Sequence, residues 1–227
     1  MRTILIIGGS KGIGKAAINE LIDHHKIINF SRTSPAFSHP NLQHYAIDVL
    51  KDSLPELEAI DGIIYCPGSI NLKPISSLTE QDFKNDFDIN VLGAVRVIQK
   101  YLKVLKAGQD PSIVMFSSVA VTLGMPFHAS TAVSKAAVEG LVKTLGAEFA
   151  PVIRVNAIAP TITETGLADK ILRNDLIKEK MKERHPLKTY LQPKDVAEMV
   201  HFLISEKSKT ISGQVIKLDC GLVSFKI

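Results

Sequence analysis
Ile4-Leu5-Ile6-Ile7-Gly8-Gly9-Ser10-Lys11-Gly12-Ile13-Gly14 is a compact apolar run that stops in a glycine-rich turn, and Lys15–Leu21 beyond it reads as a helix. Strand, tight turn and helix in that order open an α/β unit. Gly8 can make the tight turn. Gly12 and Gly14 leave room for a pyrophosphate and for close packing of helix on strand. Ser10, Lys11 and Ile13 fill out the turn, and the helix N-terminus offers unpaired N–H groups and a positive dipole end to phosphates. The spacing is G-x3-G-x-G, not G-x-G-x-x-G. Such a turn alone also serves as a plain connection; at the first strand–helix junction of an α/β pattern it points to a nucleotide.

The α/β pattern continues outward from this turn. Ile27–Phe30, His44–Ile47, Gly62–Tyr65, Ile113–Phe116, Arg154–Ile158 and Val215–Leu218 are further short strand-like runs. Phe83, Phe87, Val91, Val95, Ile98, Leu102 and Leu105 recur every three or four residues, which predicts one helix from Glu80 to about Lys106. Thr79 is its expected N-cap, with Asp82 three positions on. Helices are also expected over Thr131–Phe149 and Asp195–Ile204, the latter entered through Pro193. Residues 32–42 carry no helical pattern, so one crossover is a loop. Apolar strands separated by helices mean a parallel sheet covered on both faces. Right-handed crossovers then favour a doubly wound Rossmann fold in a single α/β domain spanning residues 1–227.

Composition sets the bounds. The chain has 227 residues, 45% hydrophobic and 22% charged, enough for one full core. A net charge of +4 spread along the chain does not form the clustered basic stripe of a nucleic-acid binder. Two cysteines, Cys66 and Cys220, make no disulfide framework. The opening apolar run is too short for a signal-peptide core, and no segment approaches a membrane span. The expectation is a soluble cytoplasmic protein that binds neither nucleic acid nor membrane. His24-His25 and His39…His44 lack carboxylate or cysteine partners at metal-ligand spacing, so no metal is expected.

The second strand ends Asn29-Phe30-Ser31-Arg32-Thr33. An acidic residue there would hold the ribose 2′-hydroxyl of NAD. Arg32 can instead pair with a 2′-phosphate, with Ser31 or Thr33 donating to it and Lys11 within reach. The absent acid and the two cations point to NADP(H). The alternative is that Arg32 and Lys11 are plain surface charges.

Over nearly its whole length the chain resembles the short-chain dehydrogenase/reductase family, and in particular its 3-oxoacyl-carrier-protein reductase-like members. Gly8-x3-Gly12-Ile13-Gly14 looks like the family's cofactor turn, and Asp48-Val49 matches its adenine contact. Asn90, in Ile89-Asn90-Val91-Leu92-Gly93, matches the helix asparagine that holds a water in a proton relay. Ser118 matches the catalytic serine and Lys135, in Ser134-Lys135-Ala136-Ala137, the lysine at the nicotinamide ribose. Arg154-Val155-Asn156-Ala157-Ile158-Ala159-Pro160 is similar to the strand before the nicotinamide loop, which Ile162 and Thr165 continue; Thr165 matches the carboxamide contact. The resemblance implies a carbonyl or alcohol substrate, and a homodimer or homotetramer built through the two long helices and the last strand.

The departures are specific. Asn-Asn-Ala-Gly after the fourth strand reads Tyr65-Cys66-Pro67-Gly68, which keeps only Gly68. Thr131 stands where the resemblance implies the proton-donating tyrosine. A phenol has a pKa near 10 that an adjacent ammonium lowers further; an alkyl alcohol is a far weaker acid. Thr131 and Lys135 still share one helix face. A histidine side chain reaches further than threonine and can exchange a proton, so His128, three residues upstream, can supply the proton directly or through a water held by Thr131 and Ser118; the alternative is an exposed loop histidine. The expected activity is reduction of a carbonyl with an altered proton donor, and the rival expectation is a non-catalytic NADP(H) sensor on the same fold. Residues 166–190 are expected to form a substrate lid. Leu172, Leu176, Ile177 and Met181 would be its apolar face, and its excess lysines would either steer an anionic substrate or be simply solvated.

Overall fold
A computed structural model describes residues 1–226. Seven parallel strands form one sheet in the order β3-β2-β1-β4-β5-β6-β7. They are β1 (Thr3–Ile7), β2 (Lys26–Ser31), β3 (Leu42–Ala46), β4 (Gly62–Tyr65), β5 (Ser112–Phe116), β6 (Arg154–Pro160) and β7 (Val215–Leu218). The apolar runs are continuous because the central strands are buried on both sides: every residue of β4 and β5 is buried. Order reverses at β1, with β2 on one side and β4 on the other. In a doubly wound sheet that reversal opens a crevice at the carboxyl ends of the strands.

On one face, α3 (Gly93–Lys106) and α4 (Ala129–Phe149) bury Tyr101, Leu105, Val138 and Val142 against the sheet. On the other, α1 (Gly12–Leu21) and α6 (Pro193–Ile204) bury Ile18, Leu21, Val200 and Leu203. Each such side chain contributes about 2 kcal/mol on full burial, so both helical layers are firmly held. Residues 32–41 run as a connection without a helix, as their composition predicts.

The predicted helix over 80–106 is one continuous rod broken in its winding. α2 (Glu80–Phe87) is capped by Thr79, whose hydroxyl accepts from Asp82 N while Asp82 reaches back to Thr79 N. A π-helical turn over Asp88–Leu92 follows, and then α3. The Gly93 amide donates to the Asp88 carbonyl, five residues back. The Ile89 carbonyl accepts the Tyr65 hydroxyl at 2.7 Å. A Cβ at Gly93 would meet that hydroxyl at 2.1 Å, so the glycine is what admits the tyrosine. A side chain inserted into the ladder is a known cause of such a turn, and apolar spacing of three or four cannot reveal it. α5 (Asp175–Arg184) departs from expectation too. Leu172 is buried but precedes the helix, whose N-cap is Asn174, and Leu176 is 65% exposed. The apolar side of this segment is instead Ala168, Leu172 and Tyr190, packed with Ile162 and Met181.

No described helix is long and apolar enough to cross a membrane. Tyr65→Phe leaves the Ile89 carbonyl without its donor; a loss of about 1–2 kcal/mol in urea unfolding is expected, with secondary structure retained.

Candidate active site
Strand register sets the site. Ile7 pairs with Phe30 on one side and Tyr65 on the other, and Phe116 pairs with Ile158. The residues that follow these pairs therefore emerge along one edge of the sheet. Gly8 leaves β1 at φ +80° and Gly12 opens α1 at φ +53°, conformations that favour glycine. A Cβ at Gly14 would lie 2.3 Å from the Gly8 carbonyl oxygen, so the close approach of helix to turn excludes any side chain there. Lys11, the residue before α1, makes no side-chain cap hydrogen bond. The first amides of α1 therefore keep their donors for an anion, and the cradle fits a pyrophosphate.

Asn29 fixes this turn. Its buried carboxamide accepts from the Gly9 amide at 2.9 Å and donates to Ser31 Oγ at 2.9 Å. Ser31 in turn donates to the Thr33 carbonyl. Its hydroxyl is thus spent inward, and of the two hydroxyls expected at a 2′-phosphate only that of Thr33 is exposed. Thr33 Oγ1 donates to Ser10 Oγ at 3.1 Å, so the end of β2 touches the glycine turn. Arg32 and Lys11, each next to one of that pair, are exposed and have no ion-pair partner among the described residues. Asp48 Oδ1 accepts from the Leu50 amide, and Val49 is buried. Burial pushes the Cys66 thiol up to about 12, so it offers no thiolate.

Beside the turn lies a cavity of about 280 Å³. Ser118, Thr131, Lys135 and His128 all border it, as do Pro160, Ile162 and Thr165 on the far wall. Two hydroxyls there are arranged alike. Ser118 Oγ accepts from the Ala120 amide at 3.2 Å, and Thr131 Oγ1 accepts from the Asn71 amide at 3.3 Å. Each has its acceptor side anchored and its O–H left to donate. His128 Nδ1 lies 2.7 Å from the Pro126 carbonyl, which makes Nδ1 the protonated nitrogen and leaves Nε2 as the atom that gains or gives a proton. The Lys135 ammonium donates to the Phe116 carbonyl at 2.9 Å. Desolvation by burial pushes Lys135 down to about 8, against the opposing charge of Asp86.

Asn90 sits in the π turn, buried, and donates to the Asp86 carbonyl at 2.8 Å. It also lies within 3.3 Å of Ser69 Oγ and Ser134 Oγ. A Cβ at Gly68 would come within 3.2 Å of Asn90 Oδ1 and 3.4 Å of Lys135 Nζ. The only part of Asn-Asn-Ala-Gly that survives is thus the residue that gives both groups their space. His185 was invisible in the sequence. It is buried on the cavity wall, its Nε2 2.8 Å from Thr161 Oγ1 and its Nδ1 2.7 Å from the Met181 carbonyl.

The comparisons with known proteins agree with this geometry. A family model described as enoyl-(acyl carrier protein) reductase matches residues 41–223. An uncharacterized oxidoreductase of Mycobacterium tuberculosis is 30% identical, the match covering 97% of this chain and 90% of that protein. A solved short chain dehydrogenase family protein from Francisella tularensis superposes with a TM-score of 0.89 at 28% identity, over 99% of this chain and all of that one. The chain belongs to the short-chain dehydrogenase/reductase family. Another relative of this dehydrogenase/reductase is the 3-oxoacyl-[acyl-carrier-protein] reductase FabG of Rickettsia felis, 30% identical over 98% of this chain and 97% of that protein. The solved structure of ElxO with NADP bound superposes with a TM-score of 0.86 at 26% identity, over 99% of this chain and all of that one.

The buried lysine has a measurable consequence. Its charged form is disfavoured by the fold, so the penalty is fully present below about pH 8 and is relieved as pH rises toward the ordinary lysine value of 10.5. Lys135→Met should therefore be more stable than wild type at pH 7, and the gap should shrink steadily between pH 8 and 10. Urea unfolding of the pair across that range measures it. The difference between the two proteins cancels the alkaline titration of tyrosines and cysteines.

Proposed function
We propose that this dehydrogenase/reductase is an NADP(H)-dependent reductase of a small-molecule carbonyl, in which Ser118, Thr131 and His128 together replace the phenol. One cavity, bordered by two anchored hydroxyls, a buried lysine and a histidine with one nitrogen uncommitted, supports this reading. The relatives named above add to it, one of them solved with NADP.

Gly8, Gly12, Ile13 and Gly14 would hold the pyrophosphate, with Ser10 and Lys11 at its edge. Arg32 and Thr33 would take the 2′-phosphate, with Ser31 behind them. Asp48 and Val49 would meet the adenine, Cys66 and Gly68 the ring beyond it. Asn90 and Lys135 would orient the ribose; Pro160, Ile162 and Thr165 would contact the nicotinamide. When bound, NADPH supplies a hydride to the carbonyl carbon. Ser118 donates a hydrogen bond to the carbonyl oxygen as negative charge develops on it. Thr131 holds a water or the substrate oxygen beside Ser118. His128, protonated at both nitrogens, gives the Nε2 proton to that oxygen and is left neutral. Thr131 itself is too weak an acid to be the source.

Residues 166–190 would close over the substrate. Their separate small core around Leu172 and Tyr190 supports a semi-independent lid. Its lysines support charge steering only weakly, because Lys178, Lys182 and Lys188 pair with Glu164, Glu179 and Glu183. Exposed apolar residues at Leu92, just before α3, and at Val133 on α4 support the helical part of a homodimer or homotetramer interface built through the two long helices and the last strand. Both cysteines are free, which fits a cytoplasmic location.

Fluorescence titration should show NADPH binding roughly ten-fold or more tightly than NADH, and Arg32→Glu should abolish that preference. A panel of carbonyl compounds, followed by NADPH absorbance, should reveal turnover. His128→Ala should lower it by about 10²-fold with cofactor affinity unchanged. Tight NADPH binding with no turnover on any carbonyl would make the chain a binding protein instead, and unchanged turnover in His128→Ala at every pH would remove the histidine from the mechanism.

A further inference from the structure
Asp86 has no part in the mechanism above. Its side chain is 3% exposed, at the end of α2 one turn before Asn90. Oδ1 accepts the Ser69 hydroxyl at 2.5 Å, while Oδ2 is buried with no partner among the described residues. A buried, half-satisfied carboxylate is expensive unless a cation stands near it. The candidate is Lys135, also buried, whose ammonium has one protein acceptor among the described residues, the Phe116 carbonyl. Asn90 joins the two. Its amide nitrogen donates to the Asp86 carbonyl and lies 3.2 Å from Ser69 Oγ, and its Oδ1, likewise without a partner, borders the space beside Gly68 that Lys135 Nζ also borders. A polar space flanked by an ammonium and an unpartnered amide oxygen suits a bridging water. Ser69 lines the substrate cavity, so this buried network opens onto it.

We propose that Asp86 is a positioning residue for Lys135: its carboxylate is the lysine's buried counter-charge and, through Ser69 and Asn90, fixes the polar path behind the cavity. The other titratable groups near this place are three. On α4, one turn beyond Lys135, the Glu139 carboxylate accepts the Ser117 hydroxyl at 2.6 Å. After β4 comes the Cys66 thiol, which stays protonated because burial holds it high. Asp82, one turn earlier on α2, is bound to Lys73 at 2.8 Å. Asp86 is the strongest influence opposing the desolvation of Lys135. Without it the lysine would lose its proton at a lower pH, within the working range of a reductase. A site that has lost its phenol has particular need of that charge, since no phenol remains to share a proton with it.

The effect on turnover rests on the reductase reading; the charge coupling does not. The test therefore begins with the protein free of cofactor. Its lysine side chains are isotope-labelled, and the Lys135 signal is assigned with Lys135→Met and titrated by NMR. Wild type should titrate near pH 8. Asp86→Asn and Asp86→Ser, both made in case one fails to fold, should lower the midpoint by about one unit, and Asp86→Glu should restore it. The alkaline limb of turnover should move by the same amount, with kcat affected more than KM. A folded, charge-neutral variant whose Lys135 midpoint stays in place overturns the proposal. A moved midpoint in a protein that turns over no carbonyl upholds the coupling and counts against the reductase reading, whereas a moved midpoint with an unmoved limb overturns the part of the proposal that ties the coupling to turnover.

Discussion
The amide of Gly9 donates to the buried carboxamide of Asn29, and the geometry of the whole site follows from that bond. It ties the turn after β1 to the neighbouring strand, while the Gly8 amide donates to the Phe30 carbonyl beside it. With the turn pinned, α1 can start only where Gly14 lies against the Gly8 carbonyl, and its free amides face the crevice at the sheet's point of reversal. The same edge delivers Ser117 and Ser118 from β5 and the loop after β6. A doubly wound sheet thus does the positioning through backbone register, and side chains supply only the final few ångströms.

A second constraint is desolvation. Lys135 is buried, and a charge there is tolerated only with nearby acceptors. The structure meets this with the Phe116 carbonyl and with a polar cluster of serines, Asn90 and Asp86 along α2, the π turn and α4. That cluster is strained in the sense that not all its acceptors are satisfied. Such incomplete satisfaction in a core is unfavourable for stability and is most often found where chemistry is done. Thr131 is short, and the backbone of the 68–73 segment meets it, the Asn71 amide donating to Oγ1.

Much of this was legible in the sequence. The strands were readable from short apolar runs because burial on both faces removes polar residues, and β4 falls at the predicted limits. The glycine turn, the missing acid after β2 and the Thr79 cap were visible because each depends on local chemistry. The π turn was not, since an added residue leaves apolar spacing of three or four nearly intact and its cause, Tyr65, lies on a distant strand. Asn29, Asp86 and His185 were missed for a related reason: a polar residue inside an apolar stretch looks the same whether it is solvated or buried in a network. Leu176 was misjudged because lone apolar residues on exposed helices are common, and only the lid's own small core identifies the face that packs.

The most direct measurement is the fate of the hydride. The enzyme should be given NADPH carrying deuterium at the transferring position together with a reactive carbonyl compound, and the product examined by mass spectrometry. One deuterium on the new carbinol carbon, with none in a control lacking protein, is the outcome expected of a reductase that has kept its hydride geometry while changing its proton source. NADPH that binds but keeps its deuterium through prolonged incubation with every carbonyl offered would contradict that account.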